Sequence, residues 1–223
     1  MENYEVVKAD FNEIAQLDSD PKWNHNNCYF SLLLKQIPEN AELCLDIGCG
    51  KGELSFLIAQ KAGKVIAVDI AEKMIEQAKK RFPKENIEYV CKNVLNIDFD
   101  DDSLDLIIST ATAHHLPYEW LLEFSKKKLR KGGKLILLDL AKADTIRDRI
   151  TWGAAVIPNI AMNLIKNGRL PKTDIHAAEV WQKHGAHDVY MTIDEIKTLA
   201  IKYIPDAKIT RKLFWRYCLL WEK

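Results

Sequence analysis

The stretch that decides the fold is "LCLDIGCGKGE", which runs from Leu43 to Glu53. An apolar run ends in Asp46, and three glycines then follow at alternate positions, Gly48, Gly50 and Gly52. Glycine at every second position favours neither a helix nor a strand, because glycine loses the most backbone freedom when it is ordered. It suits a chain that bends tightly or lies against another group. The stretch therefore predicts a strand, a tight turn and the start of a helix.

Short apolar runs alternate with segments of helical period around this turn. The predicted strands are residues 42–47, 64–69, 87–91, 104–109 and 134–140, and the predicted helices are residues 51–61, 71–82 and 118–129, with a turn at Gly132–Gly133. Strand, helix and strand at this spacing indicate βαβ units and a parallel sheet. The strands are almost continuously apolar, which is typical of a sheet covered by helices on both faces.

The rhythm changes outside this central part. The first 38 residues contain two helical pieces, and residues 144–187 contain two helix-like stretches, 146–165 and 173–183, with no strand between them. A helix at 193–203 precedes two β-rich runs, 207–213 and 215–221, which are close enough to pair as an antiparallel hairpin. We interpret the 223 residues as one domain with a helical insertion.

Composition excludes several classes of protein. The 32 Lys and Arg residues balance the 32 Asp and Glu residues, so no overall field attracts nucleic acid or an anionic membrane. The first residues lack the pattern of a signal peptide, and no apolar run is long enough to cross a bilayer. Five scattered cysteines indicate reduced thiols, so we expect a cytoplasmic protein: Cys28, Cys44, Cys49, Cys91 and Cys218.

The glycine turn predicts a nucleotide-like ligand, because open α/β sheets bind ligands at the carboxyl ends of their strands. The dinucleotide fingerprint G-x-G-x-x-G is not met, since Glu53 stands in place of its third glycine. Asp46 would oppose a pyrophosphate and suits a ligand that carries an ammonium group. Asp69 ends the second strand, where a carboxylate accepts hydrogen bonds from ribose hydroxyls. No phosphate-binding P-loop sequence occurs.

Four segments together carry a family resemblance. "LDIGCGKGELSFLIAQ", "VIAVDIAEKMIEQAKKR", "SLDLIISTATAHHL" and "LRKGGKLILLDL" resemble, in this order, the motifs of class I S-adenosylmethionine-dependent methyltransferases. The resemblance covers residues 40–140, and the terminal hairpin is similar to the last two strands of that family. It implies an α/β, Rossmann-like, open and mostly parallel seven-stranded sheet with an antiparallel C-terminal hairpin. Residues 1–38 and 144–187 would then form a helical cap and lid, and residues 190–223 the last helix and hairpin.

The resemblance also implies the cofactor, S-adenosyl-L-methionine, and the residues that hold it. Asp46, Gly48 and Gly50 match the motif for the methionine end, and Asp69 matches the ribose site. Asn93 stands where the family usually has an aspartate that contacts the adenine amino group. The predicted cofactor-binding residues are Asp46, Gly48, Cys49, Gly50, Asp69, Ile70, Met74, Asn93, Val94, Ser109, Thr110 and Tyr29.

Candidate catalytic residues follow the fourth and fifth predicted strands. A hydroxyl or ammonium acceptor needs a general base, and a histidine has its unperturbed pKa near neutrality. His114 or His115, oriented by Asp139, is the predicted base. The alternative is that both histidines only line the cofactor pocket, and that Asp139 is structural.

The N-terminal segment "KWNHNNCYF" offers aromatic residues of the kind with which related enzymes close the cofactor pocket, although a capped helix with a packed Trp23 explains it equally. Three further histidines, His176, His184 and His187, are interpreted as surface or packing residues, and no metal is expected.

The expected function is methyl transfer to a small, partly apolar acceptor through an O, N, S or C nucleophile. Apolar side chains of the insertion, Trp152, Ile157, Met162 and Trp181, are predicted to cover it. The alternatives are methylation of RNA or protein, and a cofactor-binding module without turnover. We expect a monomer or homodimer that contacts neither a membrane nor nucleic acid.

Overall fold

The computed structural model describes residues 4–17, 22–168 and 175–223. Within them, seven strands form one sheet: β1 (Leu43–Ile47), β2 (Lys64–Asp69), β3 (Ile87–Cys91), β4 (Leu104–Thr110), β5 (Leu129–Leu140), β6 (Lys208–Lys212) and β7 (Arg216–Glu222). Their order is β3-β2-β1-β4-β5-β7-β6. The first five strands are parallel, and β7 pairs antiparallel with both β5 and β6. The predicted fold class is confirmed.

The strand order reverses between β1 and β4, which pair with each other while their helices pack on opposite faces of the sheet. This switch point places the end of β1 beside the end of β4. In open α/β sheets, a crevice for ligands forms at such a point. The sheet thus positions the glycine turn next to the residues that follow β4.

Nine helices surround the sheet in the described ranges: α1 (Tyr4–Ala15), α2 (Phe30–Leu34), α3 (Glu53–Ile58), α4 (Glu72–Arg81), α5 (Tyr118–Lys128), α6 (Ile146–Gly153), α7 (Val156–Asn167), α8 (Ile175–Gly185) and α9 (Ile193–Tyr203). Apolar side chains from both faces of the sheet pack under them in two large clusters. The prediction of one helix over 146–165 is wrong, because the chain turns between α6 and α7. The predicted start of the next helix at Thr173 lies outside the described residues.

The predicted turn at Gly132–Gly133 is also wrong, because both glycines lie inside β5. Leu129 already pairs with Leu104, and the register then shifts before Leu106 pairs with Lys134. Gly132 has a φ of +80°, which lets the strand absorb this irregularity and continue. The two glycines therefore mark a bulge within a strand.

The N-terminal helix α1 packs against α4 and α8. A small apolar cluster is buried between them and consists of Ile14, Ala15, Ala71, Met74 and Val180. Ion pairs lie at the edge of this cluster. Lys8 pairs with Glu72 at 2.5 Å, and Lys183 pairs with Glu13 at 3.0 Å. Apolar contacts and exposed charges therefore hold the helix to its neighbours.

The insertion after β5 begins with α6, and buried hydrogen bonds hold the start of this helix. Thr145 and Asp148 form a capping box at the start of α6, and the buried Asp148 accepts a hydrogen bond from Arg211 of β6. Although burial opposes it, hydrogen bonds from Thr145 and Arg211 lower the pKa of Asp148 to about 2. In the described parts of the chain, each helix is too short or too polar to span a membrane.

Candidate active site

The glycine turn follows β1 and is hydrogen-bonded to the end of β2. The backbone N–H groups of Gly48 and Cys49 both donate to the carbonyl of Val68, at 2.8 and 2.9 Å. The N–H of Gly50 donates to Oδ2 of Asp69 at 2.9 Å. These bonds hold the turn against the end of β2, so both predicted carboxylates lie at one edge of the sheet.

Position 48 has no room for a side chain, because Thr112 occupies the space beside it. Its φ is +72°, and a Cβ placed on it would lie 2.0 Å from Oγ1 of Thr112. Gly50 also has a positive φ, +52°, but a Cβ there would meet no atom within 4 Å. The close approach at Gly48 therefore packs the turn against the segment after β4, whereas Gly50 faces open space.

Asp46 lies buried beneath the turn. Its Oδ2 accepts a 2.6 Å hydrogen bond from Ser55, while its Oδ1 is buried without a partner among the described residues. Burial, with a smaller effect of the Asp69 charge, raises the pKa of Asp46 to about 7. A buried oxygen without a partner is costly. The site is thus suited to a ligand that brings a positive charge close to this carboxyl.

Asp69 lies at the boundary between the sheet and the space above it. Its carboxylate accepts hydrogen bonds from the N–H groups of Gly50 and Ala71, each at 2.9 Å. Burial raises the pKa of Asp69, and these backbone donors oppose that rise. Because Asp69 also lines the cavity described next, its carboxylate can accept hydrogen bonds from a ligand.

A cavity of about 830 Å³ opens above the switch point. The glycine turn lies at one end, and the segment after β4 lies at the other. Eleven of the predicted site residues line it: Gly48, Cys49, Gly50, Asp69, Ile70, Met74, Asn93, Val94, Thr110, His114 and His115. The fold thus brings together predicted residues from four separate segments, 48–50, 69–74, 93–94 and 110–115.

Four predicted site residues do not line the cavity. Asp46 and Asp139 lie behind its wall, the first under the turn and the second behind His114. Ser109 donates to the carbonyl of Ile47 at 2.9 Å and so ties β4 to β1. Tyr29 donates to the carbonyl of Leu213 at 3.2 Å. Trp23 is buried against Phe214. The residues of that segment that line the cavity are Lys22, Asn24, His25, Asn26 and Phe30.

Asn93 lines the cavity and also begins a 3-10 turn. Its side-chain oxygen accepts a 3.0 Å hydrogen bond from the N–H of Leu95. An amide oxygen has two lone pairs, so one acceptor position remains for a ligand.

His114 is held rigidly by Asp139. Nδ1 of His114 lies 2.7 Å from Oδ1 of Asp139, and the His114 backbone N–H donates to Oδ2 at 2.7 Å. The Leu140 N–H also donates to this carboxylate, which is buried. With both backbone N–H groups and Nδ1 directed at its oxygens, Asp139 acts as the acceptor of the Nδ1–H hydrogen bond, which leaves Nε2 of His114 as the basic nitrogen.

A second group of polar side chains surrounds Asp188, which follows α8. Nε2 of His114 and Nδ1 of His115 lie 3.9 and 3.8 Å from its carboxylate oxygens, and Nε2 of His184 lies 3.6 Å away. The hydroxyl of Tyr190 donates to the same carboxylate. Sequence reasoning missed this group, since His184 and Asp188 are about 70 residues from His115 and only the packing of α8 brings them near.

Comparison with known proteins shows the family to which the chain belongs. A family model described as a methyltransferase domain matches residues 45–137. An uncharacterized methyltransferase from Mycobacterium tuberculosis is 31% identical over 213 residues, which cover 91% of this chain and 98% of the relative. The chain belongs to the class I S-adenosylmethionine-dependent methyltransferases. This methyltransferase therefore uses S-adenosylmethionine as its cofactor.

Solved structures share its fold. The N-methyltransferase NodS from Bradyrhizobium japonicum, in complex with S-adenosylhomocysteine, superposes with a TM-score of 0.62 at 13% identity, over 96% of each chain. Phosphoethanolamine N-methyltransferase 2 from Haemonchus contortus superposes with a TM-score of 0.60 at 18% identity, over 92% of this chain and 43% of the other. At these identities the likeness shows the fold alone.

The cavity of the methyltransferase fits its cofactor. The donor carries a positively charged sulfonium and ammonium group, and the unpartnered oxygen of Asp46 suits a cation. The open side of Gly50 leaves room for a ligand against bare backbone. The carboxylate of Asp69 borders the same space.

Two helices, α1 and α8, line one side of the cavity. Tyr4, Val7, Phe11 and Ile14 of α1 line the cavity, together with Trp181 and His184 of α8. The prediction that Trp152, Ile157 and Met162 cover the site is wrong. Trp152 is buried in the main core, Ile157 is exposed, and Met162 packs against Trp23. An amphipathic pattern predicted the helices of the insertion but not which of them faces the cavity.

Proposed function

We propose that the enzyme transfers a methyl group to a small, partly apolar acceptor that carries an anionic group and binds beneath α1 and α8. One observation carries this proposal: the glycine turn and the His114–Asp139 pair open into the same cavity, under an apolar lid. Methyl transfer requires the acceptor atom in line with the sulfonium, about 3 Å from the methyl carbon, with water excluded. A cofactor and an acceptor bound together in the cavity beneath α1 and α8 would meet both needs.

The cavity volume supports a small acceptor. About 830 Å³ lies within the range of roughly 300–1,000 Å³ that single ligands occupy. The cofactor is itself a ligand of drug size, so the space left for the acceptor is limited. This argues against a nucleic acid or folded protein as the acceptor. The side chains of Val7, Phe11 and Ile14 give the remaining space an apolar wall.

The residues near the turn would hold the cofactor. Asp69 would accept hydrogen bonds from both ribose hydroxyls, and the turn from Asp46 to Gly50 would hold the methionine end. Asn93 would contact the adenine amino group through the remaining lone pair of its side-chain oxygen. The cofactor supplies the activated methyl group, so the protein has to position, desolvate and deprotonate the acceptor.

Arg216 supports an anionic group on the acceptor. It lines the cavity and is only 6% exposed, and its guanidinium donates to the side-chain oxygen of Asn26 and the carbonyl of Phe214. No carboxylate of the described residues lies within ion-pair distance of it. Burial lowers the pKa of Arg216, and the more distant Asp139 opposes this only in part. A buried charge without a close opposite charge is strongly unfavourable. A carboxylate or phosphate on the acceptor would supply that charge.

The His114–Asp139 pair would remove the acceptor's proton. With Nδ1 bonded to Asp139, Nε2 of His114 accepts the proton of a hydroxyl or ammonium nucleophile, and Asp139 stabilises the resulting imidazolium. His115 packs beside His114 with ring centroids 4.0 Å apart and is the alternative base.

A cofactor-consumption screen tests the proposal. Small hydroxy, amino and thiol compounds with a carboxylate or phosphate are compared with their neutral esters or amides, and S-adenosylhomocysteine formation is measured. We expect turnover with a charged compound and at least ten-fold lower kcat/KM with its neutral partner. The Arg216→Lys variant keeps the positive charge but loses the planar guanidinium, which can donate two parallel hydrogen bonds to an anion. It should therefore reduce the ratio of kcat/KM between the charged compound and its neutral partner. Turnover with RNA or protein and with no small compound would overturn the proposal.

A further inference from the structure

The side chains around Asp188 have the composition of a metal site. The ligand atoms of His114, His115 and Asp188 all lie within 4.8 Å of one another, and the three side chains are 4–6% exposed. His184 approaches the same carboxylate from α8. Two imidazoles and a carboxylate, open to a cavity, match the donor sets of catalytic zinc sites.

The distances favour an ion over direct hydrogen bonds. An imidazolium that pairs with a carboxylate brings N and O to about 2.7–3.2 Å. Here the nitrogens of three imidazoles lie 3.6–3.9 Å from the oxygens of Asp188, beyond that range. Ligands of a tetrahedral ion with bonds of about 2.1 Å are about 3.4 Å apart. The ligand atoms of His114, His115 and Asp188 lie within 4.8 Å of one another, so a small inward movement of the side chains would give the spacing around an ion.

The far side of the His114 ring is also arranged as in metal sites. Nδ1 of His114 bonds to Asp139 at 2.7 Å. A metal-binding histidine usually donates its second ring N–H to a carboxylate, which fixes the ring and raises its basicity. His114 therefore presents Nε2 toward Asp188.

Charge gives a further reason. Asp10, Asp139 and Asp188 are all buried, with side chains 1–4% exposed. Lys183 lies 3.3 Å from Asp10, and Asp139 accepts two backbone N–H groups. Asp188 has neutral or titratable partners, namely the three histidines and Tyr190. A divalent cation would compensate its charge.

We propose that His114, His115 and Asp188 bind a divalent transition-metal ion such as Zn²⁺, with His184 supporting Asp188 and one coordination position open to the cavity. Imidazole with carboxylate suits zinc, cobalt and nickel better than magnesium or calcium. The site itself stands on the cluster geometry. Its use in catalysis rests on the proposed function.

A bound ion would change how the acceptor is activated. The ion would bind Nε2 of His114. In the metal-free enzyme, this is the atom proposed to take the proton from the acceptor. An acceptor oxygen or sulfur in the open position would then have its own pKa lowered by the ion and release its proton to water. Anionic acceptors would bind both to the ion and to Arg216.

Metal binding tests the inference without reference to turnover. The full chain is purified without a polyhistidine tag and treated with a chelator. It is then dialysed against Zn²⁺, and its metal content is measured by mass spectrometry. In a separate sample, Co²⁺ binding is followed by visible absorption. We expect one equivalent of zinc and the intense visible bands of four-coordinate cobalt. His115→Ala and the isosteric Asp188→Asn should lose at least ten-fold in affinity, while the exposed His187→Ala should bind as the parent does.

Two results would overturn the inference. One is no stoichiometric binding by the parent protein. The other is equal binding by Asp188→Asn and His115→Ala in protein that remains folded by circular dichroism. Calorimetric titration with S-adenosylhomocysteine is run on every variant. Retained cofactor binding with no metal binding rejects the metal site alone, whereas metal binding with no turnover on any small acceptor rejects the proposed function alone.

Discussion

Thr112 fills the space in which Gly48 would carry a side chain. A Cβ on Gly48 would lie 2.0–2.6 Å from three atoms of the Thr112 side chain. The glycine turn is thus fitted to the segment after β4, and the two walls of the cavity hold each other in place. Substitution of Gly48 is therefore expected to act first on folding, and on ligand binding through it.

The first prediction concerns this pair. Gly48→Ala should lower the free energy of unfolding by about 2–4 kcal/mol, through overpacking and an unfavourable positive φ. Thr112→Gly in the same chain should recover about half of that loss, because it removes the clash but not the backbone strain. Urea unfolding of both single variants and the double variant measures the coupling, and purely additive effects would contradict it.

The second prediction uses Gly50, which has the same backbone conformation but faces open space. Gly50→Ala should lose about 1 kcal/mol of stability from its positive φ and also bind S-adenosylmethionine less tightly. Gly132→Ala is the matched control, since it has a φ of +80° and no neighbour within 4 Å but lies far from the cavity. Calorimetry should show weakened binding only for Gly50→Ala. Equal affinities would mean that Gly50 does not face the cofactor.

The third prediction tests the ribose site. Asp69→Ala removes the carboxylate proposed to accept both ribose hydroxyls. Hydrogen bonds to a charged group contribute about 1.5–3 kcal/mol, so cofactor affinity should fall at least ten-fold. Asp98→Ala, in which an exposed aspartate is replaced, is the control. Unchanged affinity for both cofactor and S-adenosylhomocysteine in Asp69→Ala would place the ribose elsewhere.

The fourth prediction is a pH dependence that arises from Asp46. Its carboxyl, with a pKa raised to about 7 by burial, is partly protonated in the free protein near neutral pH. A cationic ligand favours the ionised form, so binding should release protons and affinity should increase as pH rises from 6 to 8. Calorimetry in buffers of different ionisation enthalpy measures this release. In Asp46→Asn the release should become smaller, and an unchanged release would exclude Asp46 as its source.

The fifth prediction separates base catalysis from pocket lining. In protein freed of divalent cations, His114→Ala should lower kcat for a hydroxyl acceptor by roughly 10²–10⁴-fold. Asp139→Asn should lower kcat as well, because the amide carries no charge and has a single acceptor oxygen for the three N–H groups that Asp139 accepts. Cofactor affinity should stay nearly constant in both. Full turnover in both His114→Ala and His115→Ala would show that the histidines only line the cavity.

The sequence predicted the sheet well, because buried parallel strands are nearly continuous apolar runs with clear ends. It failed at Gly132–Gly133, where a bulge and a turn have the same composition and only the strand partners distinguish them. It also failed between α6 and α7, where helical period continues through a change of direction. Neither difference is visible in a local pattern.

The cofactor end of the cavity was predictable because its residues directly follow strands whose ends meet at one edge. The acceptor end was not, because it depends on how α1 and α8 pack across the sheet. Phe11 and His184 contact each other with ring centroids 4.7 Å apart although about 170 residues separate them. No spacing rule reports such a contact.

The fastening of α1 has a kinetic consequence. Side chains of α1 line the cavity, and the ion pairs Lys8–Glu72 and Lys183–Glu13 add to the apolar contacts that hold this helix. If the helix moves when the spent cofactor leaves, both ion pairs must break. Exposed pairs contribute little to stability and are screened by salt. Where product release limits turnover, moderate ionic strength should therefore speed the catalytic cycle, and the residence time of S-adenosylhomocysteine should shorten accordingly.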